Sequence, residues 1–152
     1  MMYRCLIANR GEIAVRIIRA CRELNIETVA IYAKGDENSL HVSLADQAIC
    51  IGEANPLDSY LNIDRIISAA KVTESNAIHP GYGFLSESTN FAKAVEDNHI
   101  HFIGPSKTTM EMMGDKITAR QTVKQAGVPV IPGSNDAVQS VDEIKLLAKE
   151  IG

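Results

Sequence analysis

His79-Pro80-Gly81-Tyr82-Gly83-Phe84-Leu85-Ser86-Glu87 is the stretch that decides how the rest of the chain is read. Ahead of it, Ala77-Ile78 ends an apolar run with the character of a buried strand. Behind it, Phe91, Ala94, Val95 and Asn98 recur at the spacing of one helix face. Pro80 stops the strand, while Gly81 and Gly83 allow backbone angles and close approaches that a side chain would obstruct. A strand-to-helix turn of this kind lies at the carboxyl edge of a parallel sheet, where open α/β folds bind their ligands. From spacing alone, a ligand loop and a plain glycine-rich corner stand level.

Upstream, Cys5-Leu6-Ile7-Ala8 is a short continuous apolar run, the pattern of a strand covered on both faces. Asn9-Arg10-Gly11 turns the chain, and Ile13, Ala14, Ile17, Ile18, Cys21 and Leu24 form one helical stripe. The other face carries Glu12, Arg16, Arg19, Arg22 and Glu23, with Glu12–Arg16 and Arg19–Glu23 spaced to pair along the helix. Asn25 suits the helix exit, and Thr28–Tyr32 supplies a second strand, completing a βαβ unit with a right-handed crossover. Lys34–Asn38 is a polar turn, Gln47–Ile51 a third strand and Glu53–Ser59 a loop. Asn62 then caps a helix whose inner face is Ile63, Ile66, Ile67 and Ala70. His101-Phe102-Ile103 closes the series as a last strand. The predicted fold class is α/β over residues 1–104: a mostly parallel open sheet with helices on both faces.

After Gly104-Pro105 the pattern changes. Helical stretches at Thr108–Met113 and Lys116–Gln125 are broken by Gly114-Asp115. Val128-Pro129-Val130-Ile131 reads as an extended strand candidate, Pro132-Gly133 as a turn, and Ile144, Leu147, Ala148 and Ile151 as the inner face of a final helix. One strand with no neighbour to pair with predicts that residues 105–152 open a second, incomplete domain, with apolar surface uncovered between Val128 and Ile151.

A chain of 152 residues can bury a core without disulfide or metal staples. A net charge of −4 argues against nucleic-acid or membrane partners recruited by bulk charge, while leaving room for a local phosphate site. Cys5, Cys21 and Cys50 are dispersed and form no CxxC pair, which points to free thiols in a reducing, cytoplasmic setting. No signal-peptide or membrane-spanning run is present.

Ala8-Asn9-Arg10-Gly11-Glu12 has one glycine where a dinucleotide fingerprint needs three, so a plain sheet corner is favoured. A phospho-receiver domain wants an acidic pair after its first strand, and Asn9-Arg10 offers none. In Gly114-Asp115-Lys116, Asp115 is a good N-cap that places Lys116 in the first helical turn. A cation there opposes the helix dipole unless an anion binds; taken alone, the pattern favours a solvated lysine over a phosphate contact. His99 and His101 alternate at an apparent strand start and face one side, too few ligands for a metal site. His79 reads as a hydrogen-bonded strand end rather than a general base.

Ile7–Ala14, Ser59–Ile63, His79–Glu87, Phe102–Pro105 and Met113–Lys116, in this order and spacing, resemble the amino-terminal part of the biotin carboxylase family, across essentially the whole chain. Each string alone is modest; the set is highly specific. The likeness is greatest to the subunit serving bacterial acetyl-CoA carboxylase and fatty acid synthesis, and pyruvate, propionyl-CoA and urea carboxylases are also similar.

The resemblance implies a Rossmann-like pre-ATP-grasp domain followed by the truncated start of an ATP-grasp domain. It implies an ATP-dependent ligase that uses MgATP to activate bicarbonate and carboxylates biotin on a carrier protein, alongside a carboxyltransferase. By that resemblance Lys116 is an ATP contact, Gly81, Tyr82, Gly83 and Glu87 line the biotin side, and Arg19 and Glu23 belong to a homodimer contact on the first helix. No catalytic or metal-binding residue falls in this stretch; the magnesium ligands are expected beyond residue 152, and these residues alone are expected to be inactive. The rival reading is a non-catalytic α/β module that assembles through its Arg16–Glu23 face.

Overall fold

The computed structural model describes residues 3–131, 138 and 140–151, and the chain divides into two compact units, Met1–Lys107 and Thr108–Gly152. The first unit is built on β1 (Arg4–Ile7), β2 (Glu27–Ala33), β3 (Gln47–Gly52), β4 (Ala77–His79) and β5 (His101–Phe102). Every neighbouring pair is parallel, in the order β3-β2-β1-β4-β5. Helices α1 (Gly11–Glu23), α2 (Leu40–Leu44), α3 (Ile63–Val72) and α4 (Thr89–Asp97) connect the strands. Because such crossovers are right-handed, α1 and α2 cover one face and α3 and α4 the other. The central strands are therefore sealed on both sides. Leu6, Ile7, Val29, Ile31 and Ile78 are fully buried, which is why their segments read as unbroken apolar runs.

The stripe of α1, through Ala14, Ile17, Ile18 and Cys21, packs on Cys5, Ile7 and Ala77. The Cys21 sulfur beside it, together with burial, raises the Cys5 thiol and keeps it protonated. Cys50, on β3, is exposed. Asn62 caps α3 by accepting from the Arg65 N–H at 3.1 Å, and Asn25 leaves α1 in the left-handed region. Phe91 of α4 meets Phe102 of β5 edge-on, with ring centres 5.9 Å apart.

The remaining helices are α5 (Lys107–Gly114), α6 (Lys116–Gln125) and α7 (Val141–Ile151). Val128, Ile131, Ile144 and Leu146 are each at least 52% exposed. Among the described residues no helix is long and apolar enough to cross a membrane.

Several expectations need correction. Val128–Ile131 forms no strand, because Pro129 lacks an N–H and no partner strand lies beside it among the described residues. Pro132-Gly133 lies outside the described residues. His99 does not alternate with His101 on a strand; it takes a left-handed turn (φ 57°) out of α4, and β5 starts only at His101. Among the described residues no ion pair joins Glu12 to Arg16 or Arg19 to Glu23; Glu12 instead accepts from the Tyr82 hydroxyl at 3.3 Å. On α4 it is Ala92, not Ala94, that is buried beside Phe91 and Val95. Helix α2 was not anticipated, being too short to show a period.

Helix α2 carries His41, which is 1% exposed. Its Nε2 lies 3.2 Å from the Ile31 carbonyl oxygen, while Nδ1 is buried without a partner. A neutral ring with its proton on Nε2 satisfies this arrangement; a second proton would bury a charge and an unanswered N–H. Burial accordingly lowers its pKa, against the pull of the Ile31 carbonyl and Asp36. His79 is lowered by burial as well. With folded values below the ordinary ~6.5, the unfolded chain takes up these protons first. Stability should therefore fall as pH drops below about 6.5, by at most ~1.4 kcal/mol per pH unit for each histidine. Urea unfolding between pH 7 and 5 should show that loss. His41→Gln, whose amide can still donate to Ile31, should flatten the slope; an equal slope in wild type and variant would contradict this assignment.

Candidate functional site

Strand order reverses at the boundary between β1 and β4. From β1 the chain moves to β2 and from β4 to β5, so their outgoing loops diverge to opposite faces, the arrangement that opens a ligand crevice at the carboxyl edge. Here the floor of that crevice is spanned by the protein itself. The Ala8 N–H donates to the His79 carbonyl at 2.8 Å, carrying the β1–β4 pairing past the strand ends and setting Asn9 against the turn that follows β4. Asn9 is 3% exposed, and its Nδ2 donates to the carbonyls of Pro80 (2.8 Å) and Tyr82 (2.9 Å). Its Oδ1 accepts from the Arg10 N–H at 2.9 Å.

Gly81 lies between the two carbonyls that Asn9 holds, at φ 68°, and an added Cβ would come within 2.7 Å of Asn9 Nδ2. That close approach and the left-handed backbone both require glycine. The Gly81 N–H donates to His79 Nδ1 at 3.0 Å, so the histidine proton sits on Nε2 and His79 is a strand-end acceptor. Gly83 (φ 66°) and Phe84 (φ 42°) continue in the left-handed region. For Phe84 this costs about 1–2 kcal/mol. Tyr82 is 64% exposed, and Glu87 is also exposed.

A second layer joins this turn to β2. The Phe84 ring stacks on Tyr60, with centres 5.4 Å apart and planes 6° from parallel. The Arg10 guanidinium lies 5.1 Å from the centre of the Tyr60 ring and 5.7 Å from that of Phe84. Tyr60 is fully buried; its hydroxyl accepts from the Ala33 N–H (3.0 Å) and donates to Asp36 (2.6 Å), which also pairs with Arg10 at 3.3 Å. The Tyr60 hydroxyl and then Arg10 hold the Asp36 carboxyl below its usual range, while burial and Asp36 push the Tyr60 hydroxyl up. Tyr60 thus stays a neutral donor and Asp36 an anion.

Gly81, Tyr82, Gly83 and Glu87 therefore share one loop at the sheet edge of the first unit. Arg19 and Glu23 lie along α1 and line a shallow depression together with Glu12 and Arg16. Lys116 is the exposed first residue of α6, in the second unit. Asp115 caps that helix by accepting from the Thr118 N–H at 2.7 Å, which lowers the Asp115 pKa. Its carboxylate takes one of the free amides of the first turn, beside the exposed Lys116 side chain. Among the described residues no group of three or more His, Cys, Asp or Glu side chains could hold a metal ion. Sequence reasoning missed Asn9, Arg10, Asp36, Tyr60 and Phe84 as a working set. The available signal was a polar residue just past β1 and the aromatics of two loop strings, Tyr60 in one and Tyr82 with Phe84 in the other.

The family model described as "Biotin carboxylase, N-terminal domain" matches residues 1–110. The whole chain is 56% identical to Biotin carboxylase 1 of Bacillus subtilis, covering 34% of that protein. Its fold matches the biotin carboxylase domain of a thermophilic 2-oxoglutarate carboxylase bound to bicarbonate, at 51% identity and TM-score 0.90, over all of this chain and 34% of that one. A dimer of that domain from Hydrogenobacter thermophilus, solved with MgADP, ADP and bicarbonate, matches at 51% identity and TM-score 0.88 over all of this chain and 33% of that one. The chain spans about a third of the length of the curated relatives it matches.

The Asn9 bridge has a direct test. In Asn9→Asp the shape is kept, but an acceptor-only carboxylate faces two carbonyls. Urea unfolding at pH 7 should show a loss of about 1–3 kcal/mol relative to wild type. Facing carbonyls and burial would raise the new carboxyl's pKa, so the deficit should shrink toward pH 5 as a proton restores one donor. Asn9→Ala should show a deficit with no such recovery.

Proposed function

This chain belongs to the biotin carboxylase family, and we propose that it works as the amino-terminal part of an enzyme that uses MgATP and bicarbonate to carboxylate biotin on a carrier protein. The observation that carries this reading is similarity over the entire chain to a biotin carboxylase at 56% identity, joined by fold matches to relatives solved with bicarbonate and MgADP. Within that reading, the loop of Gly81, Tyr82, Gly83 and Glu87 forms the biotin-side wall. A ureido ring carries a carbonyl and two N–H groups, and a glycine-lined backbone lets such a ring come close enough to use peptide donors and acceptors. The exposed Tyr82 ring adds an apolar surface for the rest of the ligand.

Lys116 contributes a cation for nucleotide phosphate, with the first turn of α6 behind it. Magnesium would enter with the nucleotide, and the sequence resemblance implies protein ligands for it beyond residue 152. When bound, the ion supplies charge neutralisation at the phosphates. The α1 face with Arg19 and Glu23 is the surface we assign to a homodimer, supported by the dimeric relative. The carrier protein and a carboxyltransferase are the partners in this reading; the sequence resemblance favours acetyl-CoA carboxylase and fatty acid synthesis in the cytoplasm, with pyruvate, propionyl-CoA and urea carboxylases as the alternatives.

Two measurements test this. By itself, the 152-residue chain, which spans about a third of the length of its relatives, should give no bicarbonate-dependent ADP release. In the full-length protein, Lys116→Gln should raise KM for ATP about ten- to a hundredfold, the loss of one charge-assisted contact. Bicarbonate-dependent turnover by the chain alone, or an unchanged KM for ATP in the variant, would count against these assignments.

A further inference from the structure

Backbone in the left-handed region occurs at Gly81, Gly83 and Phe84, three of four consecutive residues. Glycine adopts it freely; a phenylalanine stays there only where its surroundings over-determine it. The amide of Asn9 and the ring of His79 grip residues 80–82, the Ser86 N–H donates to the Gly83 carbonyl at 2.9 Å within the loop, and the contact of Phe84 beyond the loop is made by its ring. That ring rests on Tyr60, which is fully buried and pinned through its hydroxyl to Ala33 and Asp36. Arg10 lies against both rings and is tied to the same Asp36. A planar guanidinium can stack and pair at once, which an ammonium cannot. The Arg10 side chain is 44% exposed and Phe84 37% exposed, so core burial does not account for the arrangement.

We propose that Arg10, Tyr60 and Phe84 are positioning residues that fix the far end of the Gly81–Gly83 turn and so present Tyr82 and Gly83 to biotin; this rests on the reading of the loop as the biotin-side wall. Tyr82 and Gly83 then lie between two anchors, the Asn9 amide and the Phe84 ring, beside the exposed bond of the Tyr82 hydroxyl to Glu12 (3.3 Å) and the local turn bond from the Ser86 N–H to the Gly83 carbonyl (2.9 Å). Releasing the second anchor leaves the turn in its receptive shape only part of the time. Apparent affinity for biotin falls by that fraction, while steps that need only nucleotide and bicarbonate are untouched.

The test uses the full-length protein with Phe84→Leu, Phe84→Tyr and Arg10→Lys. Phe84→Leu keeps apolar bulk but loses the stack, Phe84→Tyr keeps the stack, and Arg10→Lys keeps the charge but loses the planar contact. Phe84→Leu and Arg10→Lys should raise KM for biotin about three- to tenfold, with KM for ATP and biotin-independent ATP cleavage near wild type. Amide exchange at residues 81–85 should quicken in the same two variants, and Phe84→Tyr should match wild type in every readout. The proposal is overturned by an unchanged KM for biotin, by a parallel rise in KM for ATP, or by Phe84→Tyr behaving like Phe84→Leu. If Phe84→Leu fails to fold, Arg10→Lys carries the comparison alone. If the wild-type protein shows no biotin-dependent turnover, the function proposed above fails, and exchange at 81–85 then decides the lock by itself.

Discussion

One carboxamide sets the character of this sheet edge. Asn9 spends both N–H donors of its side chain on carbonyls of the turn after β4, closing the floor of the gap that strand reversal creates. An aspartate could not donate, and the amide sits so close to Gly81 that a Cβ there would come within 2.7 Å of it. Because the amide is buried, each bond it makes replaces water that cannot reach the site, and leaving either carbonyl unmet would carry a desolvation cost. In open α/β sheets ligands approach at such a reversal, and here the first turn is tied to the turn after β4 by that amide. The loop after β4 is left as the surface on offer.

The aromatic and ionic layer extends the same constraint outward. Asp36 comes from the turn after β2, Arg10 from the turn after β1, Phe84 from the loop after β4, and Tyr60 from the segment before α3. Four connections that share only the sheet beneath them are thus joined above it. A carboxylate that receives both a phenol and a guanidinium is a stable hub, since its anionic form is favoured by each partner.

Much of the first unit could be read directly from periodicity. Apart from Leu24, which lies past the end of α1 and is exposed, the stripes of α1 and α3 and the apolar runs of β1, β2 and β3 are local patterns, and the caps at Asn62 and Asp115 are single-residue signals with a local mechanism. The five residues of α2 were invisible because no period fits in so short a piece; its place is set by burying His41 against β2. Val128–Ile131 misled because a β-prone composition describes a side-chain preference, and a strand exists only with a partner to pair with. The site was half legible. The glycine turn declared itself, but the contacts of Arg10 with Asp36, Tyr60 and Phe84 join positions 26 to 74 residues apart, and no single sequence encodes such pairings in its spacing.

The distribution of sulfur has a practical corollary. Cys5 and Cys21 are enclosed between β1 and α1, whereas Cys50 stands on the outer strand β3, beside a groove it shares with Arg65 and Val72 of α3. Of the three cysteines in these 152 residues, Cys50 is the one open to a maleimide dye. A fluorophore attached there needs no cysteine engineering and sits at the opposite end of the strand order from β5, a ready vantage for watching the sheet assemble.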